Sequence, residues 1–193
     1  MQCFAYFPTL VYREECPQWV NEITSKIAPY FAAEQVGCEN LVKQTQSPIY
    51  DEQFVDFKNS FLQAAVGVLG EQGYFVDKYD FFVNGMWGQE ICPKGGHGFH
   101  VHPNTQVCGL YFLETPEKGS YPIFKDPRTL KTGLDLWQQD FSVLSNASQE
   151  VHFTDVKPGT FLLFNSWLSH AISTNLSDHN TKFIHFTVAQ KEK

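Results

Sequence analysis

From Tyr74 onward the chain is cut into strand-length pieces by turn residues, and this spacing limits the fold more than any other feature. Runs rich in β-branched and aromatic residues occur at 79–87, 107–114, 121–125, 150–156, 160–165, 170–174 and 182–189. Lys118-Gly119, Pro158-Gly159 and Ser177-Asp178 stand among the breakers that divide them. Strands this short, with no helical stretch between them, predict a barrel or sandwich rather than βαβ units. The earlier part reads differently. Residues 4–12 read as a short strand with Pro8 at its edge. Two amphipathic helices follow, at about 17–35 and 50–72. Trp19, Ile23, Ile27 and Tyr30/Phe31 recur at helical spacing in the first, where Pro29 predicts a kink or an early end. Phe54, Phe57, Phe61, Ala65 and Val68 line one face of the second, and Gly70 and Gly73 mark its end. The expectation is one mainly β domain over 1–193, with helices within about 13–73 and a jelly-roll barrel over about 74–190. The stretch 128–149 lacks strand pattern but holds Leu134, Leu136, Trp137 and Phe141, as loops that cover a site often do.

Composition narrows the function. Of 193 residues 42% are hydrophobic and 16% aromatic, with 18 Phe, so a globular chain with a phenylalanine-rich interior is expected. A net charge of −7 and no basic patch argue against nucleic acid as a partner. The cysteines, Cys3, Cys16, Cys38, Cys92 and Cys108, are odd in number and none pair as C-x-x-C, which predicts reduced thiols and a cytoplasmic location. Met1-Gln-Cys-Phe4 lacks the basic region and apolar run of a signal peptide, and no apolar run approaches the roughly 20 residues of a membrane span.

The histidines are unevenly placed. His97, His100 and His102 fall in Gly-Gly-His-Gly-Phe-His-Val-His-Pro-Asn. On an extended segment His100 and His102 share a face at about 6–7 Å between Cα atoms, a spacing that suits two imidazoles on one ion. A surface pair, or hydrogen-bonded barrel histidines, is the alternative. His170 follows a Pro158-Gly159 turn and the buried strand Phe161–Phe164, where packing asks for no histidine, although a solvated residue also fits.

The order of these motifs resembles the 2-oxoglutarate/Fe(II)-dependent oxygenases, and most closely their small bacterial and phage branch. The matching residues are His100-Val-His102-Pro103-Asn104, Cys108-Gly-Leu-Tyr111-Phe112, Phe124-Lys-Asp126-Pro127-Arg128, Pro158-Gly-Thr-Phe-Leu-Leu-Phe164 before His170, and a basic residue about a dozen positions later. Phe7-Pro-Thr-Leu-Val-Tyr12 also resembles that branch's start. The resemblance implies a double-stranded β-helix of jelly-roll, cupin-like type, with Fe(II) held by His100, His102 and His170. It also implies 2-oxoglutarate and O2 as co-substrates. Lys182 falls where such enzymes pair the distal carboxylate of 2-oxoglutarate, with Lys offering charge but no bidentate fork. Tyr111 matches a position whose hydroxyl helps hold the co-substrate; a barrel-packing tyrosine is the other reading.

One departure stands out. The superfamily mostly binds iron through two His and a carboxylate, yet residues 91–113 contain no Asp or Glu. Either His102 takes the third place or an acid such as Asp126 or Glu114 swings in. His97 reads as a support or substrate contact, and Trp87, Asn104 and Arg128 as further substrate contacts. Trp87, Trp137, Trp167 and Phe99 are candidates for a cavity wall, against the commoner role of packing. The resulting expectation is a dioxygenase that hydroxylates a small-molecule or peptide substrate and releases succinate and CO2, as a monomer or homodimer. The rival readings are a three-His cupin-type metalloenzyme without 2-oxoglutarate and a non-catalytic binding module on the same barrel.

Overall fold

Two antiparallel sheets face each other, and the way the chain alternates between them identifies the fold. The computed structural model describes residues 2, 7–33, 41–128, 131, 136, 138–140 and 143–193. The six-stranded sheet runs β1-β8-β5-β10-β3-β2, and the four-stranded sheet β4-β9-β6-β7. The ranges are β1 Val11–Glu15, β2 Val42–Gln44, β3 Tyr79–Ile91, β4 His97–His100, β5 Val107–Glu114, β6 Pro122–Lys125, β7 Glu150–His152, β8 Thr160–Asn165, β9 His170–Ile172 and β10 Thr181–Glu192. Strands β3 to β10 form two interleaved Greek keys, which is the jelly-roll or double-stranded β-helix topology.

The central strands are buried on both faces, and their alternating side chains supply two separate cores. Tyr111, Leu113, Phe161, Leu163, Ile184, Phe186 and Val188 face the helices. Leu110, Phe112, Leu162, Phe164 and Phe183 face the other sheet and meet Phe124, Leu168 and Ile172 there. Helices α1 (Val20–Ala33) and α2 (Val55–Glu71) lie on the outer face of the larger sheet through Ile23, Ile27, Phe57 and Phe61. Phe61 stacks on Phe186 at 4.0 Å between ring centroids. Gly109 makes that approach possible: a Cβ there would lie 2.5 Å from the Phe61 ring.

Three boundaries differ from those the sequence predicts. Pro8 has no N–H to give a ladder, and β1 pairs with β8 only from Val11. Pro29 sits on the exposed side of α1, which continues to Ala33 instead of ending there. The edge strand β2 has three residues, too few to carry a two-residue period. Leu134, Trp137 and Phe141 lie outside the described residues, and Leu136 is exposed. No helix among the described residues is long and apolar enough to cross a membrane.

Candidate metal centre

Strands β4 and β9 are neighbours in the smaller sheet, and their pairing puts His100 directly opposite His170. His102 lies just past β4, its backbone N–H donating to the Ser166 carbonyl at 3.2 Å. Ring centroids are 4.3 Å apart for His100 and His170, 5.0 Å for His100 and His102, and 5.3 Å for His102 and His170. One ring nitrogen from each of the three lies within 4.8 Å of the others.

The backbone sets which nitrogen faces the centre. His100 Nδ1 meets the Gly98 carbonyl at 2.9 Å, and His170 Nδ1 meets the Leu168 carbonyl at 2.9 Å. A carbonyl only accepts, so both rings carry the proton on Nδ1 and leave Nε2 bare. His170 Nε2 and His102 Nε2 are buried without a partner. Bare imidazole nitrogens oriented by carbonyls are the arrangement a transition metal requires. His97 stands beside the group, stacked on His100 at 4.2 Å, with its Nδ1 receiving the Gln89 side-chain N–H at 3.1 Å. It steadies the His100 ring.

Burial keeps these rings neutral. His170 is 1% exposed, and desolvation lowers its pKa to about 3; the Leu168 carbonyl opposes the shift and the neighbouring imidazoles add to it. Desolvation and then the nearby His100 and His97 bring His102 to about 4. Both lie below the ordinary 6.5, so the unfolded chain takes up protons first as pH falls. Stability present above about pH 6.5 is therefore lost downward, until the folded rings themselves titrate. His170 alone costs the metal-free protein on the order of 2 kcal/mol between about pH 7 and pH 5. Urea unfolding in the presence of a chelator at those two pH values measures this, and the drop should shrink in His170→Gln. Equal stability at both pH values would contradict the burial.

Neither candidate acid reaches the group. Glu114 accepts from Lys182 Nζ at 3.1 Å, and Asp126 is held by Arg128 and Lys131, which keep its carboxyl far below the usual range. The group of three contains histidines and no carboxylate.

A family model described as "Putative 2OG-Fe(II) oxygenase" matches residues 85–186, more than half of the chain. The chain belongs to this family. Solved structures agree on the fold. The oxygenase superposes on a Pseudomonas putida prolyl-4-hydroxylase with a TM-score of 0.60 at 12% identity, over 96% of this chain and 94% of that one. A viral collagen prolyl hydroxylase from Paramecium Bursaria Chlorella virus-1, in complex with 2OG, gives 0.59 at 14% identity, over 95% and 96%. HygX from Streptomyces hygroscopicus, with nickel and 2-oxoglutarate bound, gives 0.59 at 13% identity, over 94% and 83%. No curated protein matches the sequence. The oxygenase is thus an oxidoreductase of a class that works with Fe(II), 2-oxoglutarate and O2.

Two residues expected to hold the co-substrate stand elsewhere. Lys182 does share a face with Ile184 and Phe186, but that face looks toward the helices. Its amine pairs with Glu114 and lies 5.8 Å from the Phe31 ring of α1. The inward row of β10 begins Thr181, Phe183, His185. Both rows of this strand are largely buried, one under the helices and one in the barrel, so alternation alone cannot say which faces the barrel. Tyr111 likewise belongs to the helix side, where its hydroxyl donates to the Cys16 carbonyl at 2.7 Å and its ring packs on Phe57. It is a packing tyrosine. Lys182→Ala should therefore leave the apparent KM for 2-oxoglutarate unchanged in steady-state assays. Loss of the partly exposed pair costs at most about 1 kcal/mol, and a KM raised tenfold would return Lys182 to the site.

The proposed substrate contacts divide as well. Trp87 lies beside the histidines, 6.0 Å from His102 between centroids. Asn104 is exposed at a positive φ of 61° in the turn after His102. Arg128 lines a separate concavity of about 760 Å³, together with Pro8, Phe124, Val151, Phe153 and Leu168. Phe124 and Leu168 form its floor and also belong to the interior core, so this concavity ends one side chain from His170. Phe99 and Trp167 are about half exposed, and Phe99 carries Lys125 Nζ 5.6 Å from its ring.

The sequence reading missed His185. It lies flat on Trp87 at 4.3 Å and 7°, and 4.6 Å from His102, buried with both ring nitrogens unpartnered. A histidine between Ile184 and Phe186 in a strand-like run was the available signal.

Proposed function

We propose that this protein is a hydroxylase in which His100, His102 and His170 hold Fe(II) and a small molecule or peptide side chain is the substrate. The observation that carries this reading is the set of three carbonyl-oriented or unpartnered imidazoles within reach of one ion. Iron held there would supply, with 2-oxoglutarate and O2, oxidative decarboxylation to succinate and CO2, one oxygen atom of O2 entering succinate and the other the substrate. The protein supplies the rest. The Gly98 and Leu168 carbonyls fix two rings in the binding tautomer, and His97 with Gln89 limits how His100 turns. Phe124, Phe164 and Leu168 keep water from the inner side of His170. Three neutral ligands leave the ion its full charge, which favours an anionic co-substrate even though Lys182 faces the helices.

The concavity beside Phe124 and Leu168 is of the size that small ligands fill, and its floor is one side chain from His170. The test is a succinate-release assay with Fe(II), 2-oxoglutarate and ascorbate over a panel of metabolites and peptides. Succinate formation stimulated by one substrate class is the expected result. Oxygen uptake that proceeds without 2-oxoglutarate would overturn the reading in favour of a three-histidine dioxygenase.

A further inference from the structure

Polar groups without partners continue inward from the three histidines. Among the described residues, five of the buried nitrogen and oxygen atoms lacking a hydrogen bond belong to Trp87, His102, His170 and His185. Each such atom costs about 1–3 kcal/mol when it stays unsatisfied. His170 and His102 are accounted for by the centre already described, whereas His185 is not. On the adjoining strand β5 its neighbour is Cys108, a free thiol with 0% exposure against which Thr105 makes a hydrogen bond. A ring nitrogen of His102, the sulfur of Cys108 and a ring nitrogen of His185 all lie within 4.8 Å of one another.

Two imidazoles and one thiol at this spacing are a recognisable donor set. Around a tetrahedral ion, nitrogen ligands at about 2.0–2.1 Å and sulfur at about 2.3 Å stand slightly closer together than this, so small rotamer changes close the gap. Thiolate with imidazole selects borderline-soft ions and disfavours Mg(II) and Ca(II), which take oxygen. We propose that His102, Cys108 and His185 form a second metal site, sulfur-containing and suited to Zn(II), on the inner side of the three-histidine centre and sharing His102 with it. A neutral imidazole offers one lone-pair nitrogen, so with both ions bound His102 bridges them as an imidazolate, its ring N–H proton passing to solvent. Binding displaces the Cys108 proton to solvent and forms a metal–sulfur bond without change of oxidation state. The wall of the site is Trp87, stacked on His185.

Co(II) alone is the probe, because a cobalt–thiolate bond gives a near-ultraviolet charge-transfer band that imidazole and water ligands do not. The band is expected in the wild-type protein and also in His100→Ala, which breaks the outer centre but keeps all three inner donors. It should vanish in Cys108→Ser, and His185→Gln should weaken Co(II) binding at least about tenfold, the low end of what lost metal-site contacts cost. Absence of the band in wild type, or its survival in Cys108→Ser through another cysteine, would overturn the proposal. Should Cys108→Ser fail to fold, X-ray absorption of the Zn(II)-loaded wild type decides instead. One sulfur at about 2.3 Å with imidazole neighbours supports the site, and nitrogen and oxygen alone refute it. Succinate release is a separate readout, so failure of this site and failure of the oxygenase reading are distinguishable.

Discussion

His170→Ala should lose iron. His170 is enclosed, its Nδ1 is committed to the Leu168 carbonyl, and its Nε2 has no protein partner. Removing a partner that merely orients a metal ligand costs about 10–100-fold in affinity, and removing the ligand itself should exceed the upper end of that range. Iron content after desalting should fall below one tenth of the wild-type value, with succinate release at background. His170→Gln should behave alike, since an amide is a poor substitute for imidazole toward Fe(II). Both variants should fold, because the site is polar and the adjoining core of Phe124, Phe164 and Leu168 stays intact. A folded His170→Ala that retains iron at wild-type stoichiometry would remove His170 from the centre.

The second large effect lies far from the chemistry. Phe61 of α2 is 2% exposed, stacks on Phe186 and meets Phe161 edge-on at 5.3 Å. Its ring also fills the space above Gly109. Truncation to alanine leaves a cavity between helix and sheet and should cost about 3–5 kcal/mol. For a chain of this length that lowers Tm by roughly 6–20 °C. Calorimetry of the metal-free protein measures it directly. A loss below about 1 kcal/mol would mean that α2 is not anchored through this residue. Because β10 presents Phe186 to the helices and His185, 4.6 Å from the His102 ring, to the interior, loosening the outer core should also weaken iron binding, by a smaller factor than His170→Ala.

Much of this arrangement was readable from residue order. Breakers such as Pro158-Gly159 mark strand ends whatever their partners, because they act on local backbone geometry. That is why 107–114 and 160–165 coincide with β5 and β8. The same-face spacing of His100 and His102, and a lone histidine after the apolar strand 161–164, likewise belong to the sequence. So does the lack of any acid over 91–113, which leaves a histidine-only group as the local option.

The sequence alone, then, determined a two-sheet β fold behind two amphipathic helices, and which histidines were candidates. Only the tertiary structure decided which face of β10 looks inward. That strand is buried on both sides, so period-two alternation fixes the rows but not their direction. Packing of α1 and α2 settled it by claiming Ile184 and Phe186. With that choice Lys182 and Tyr111 turned to the helices, and His185, unremarked in the sequence, was carried inside beside Trp87 and His102. Pairing of β4 with β9 then brought His170 across from His100, 70 positions earlier in the chain. Register between distant strands depends on which surfaces bury each other, and no local residue pattern encodes that.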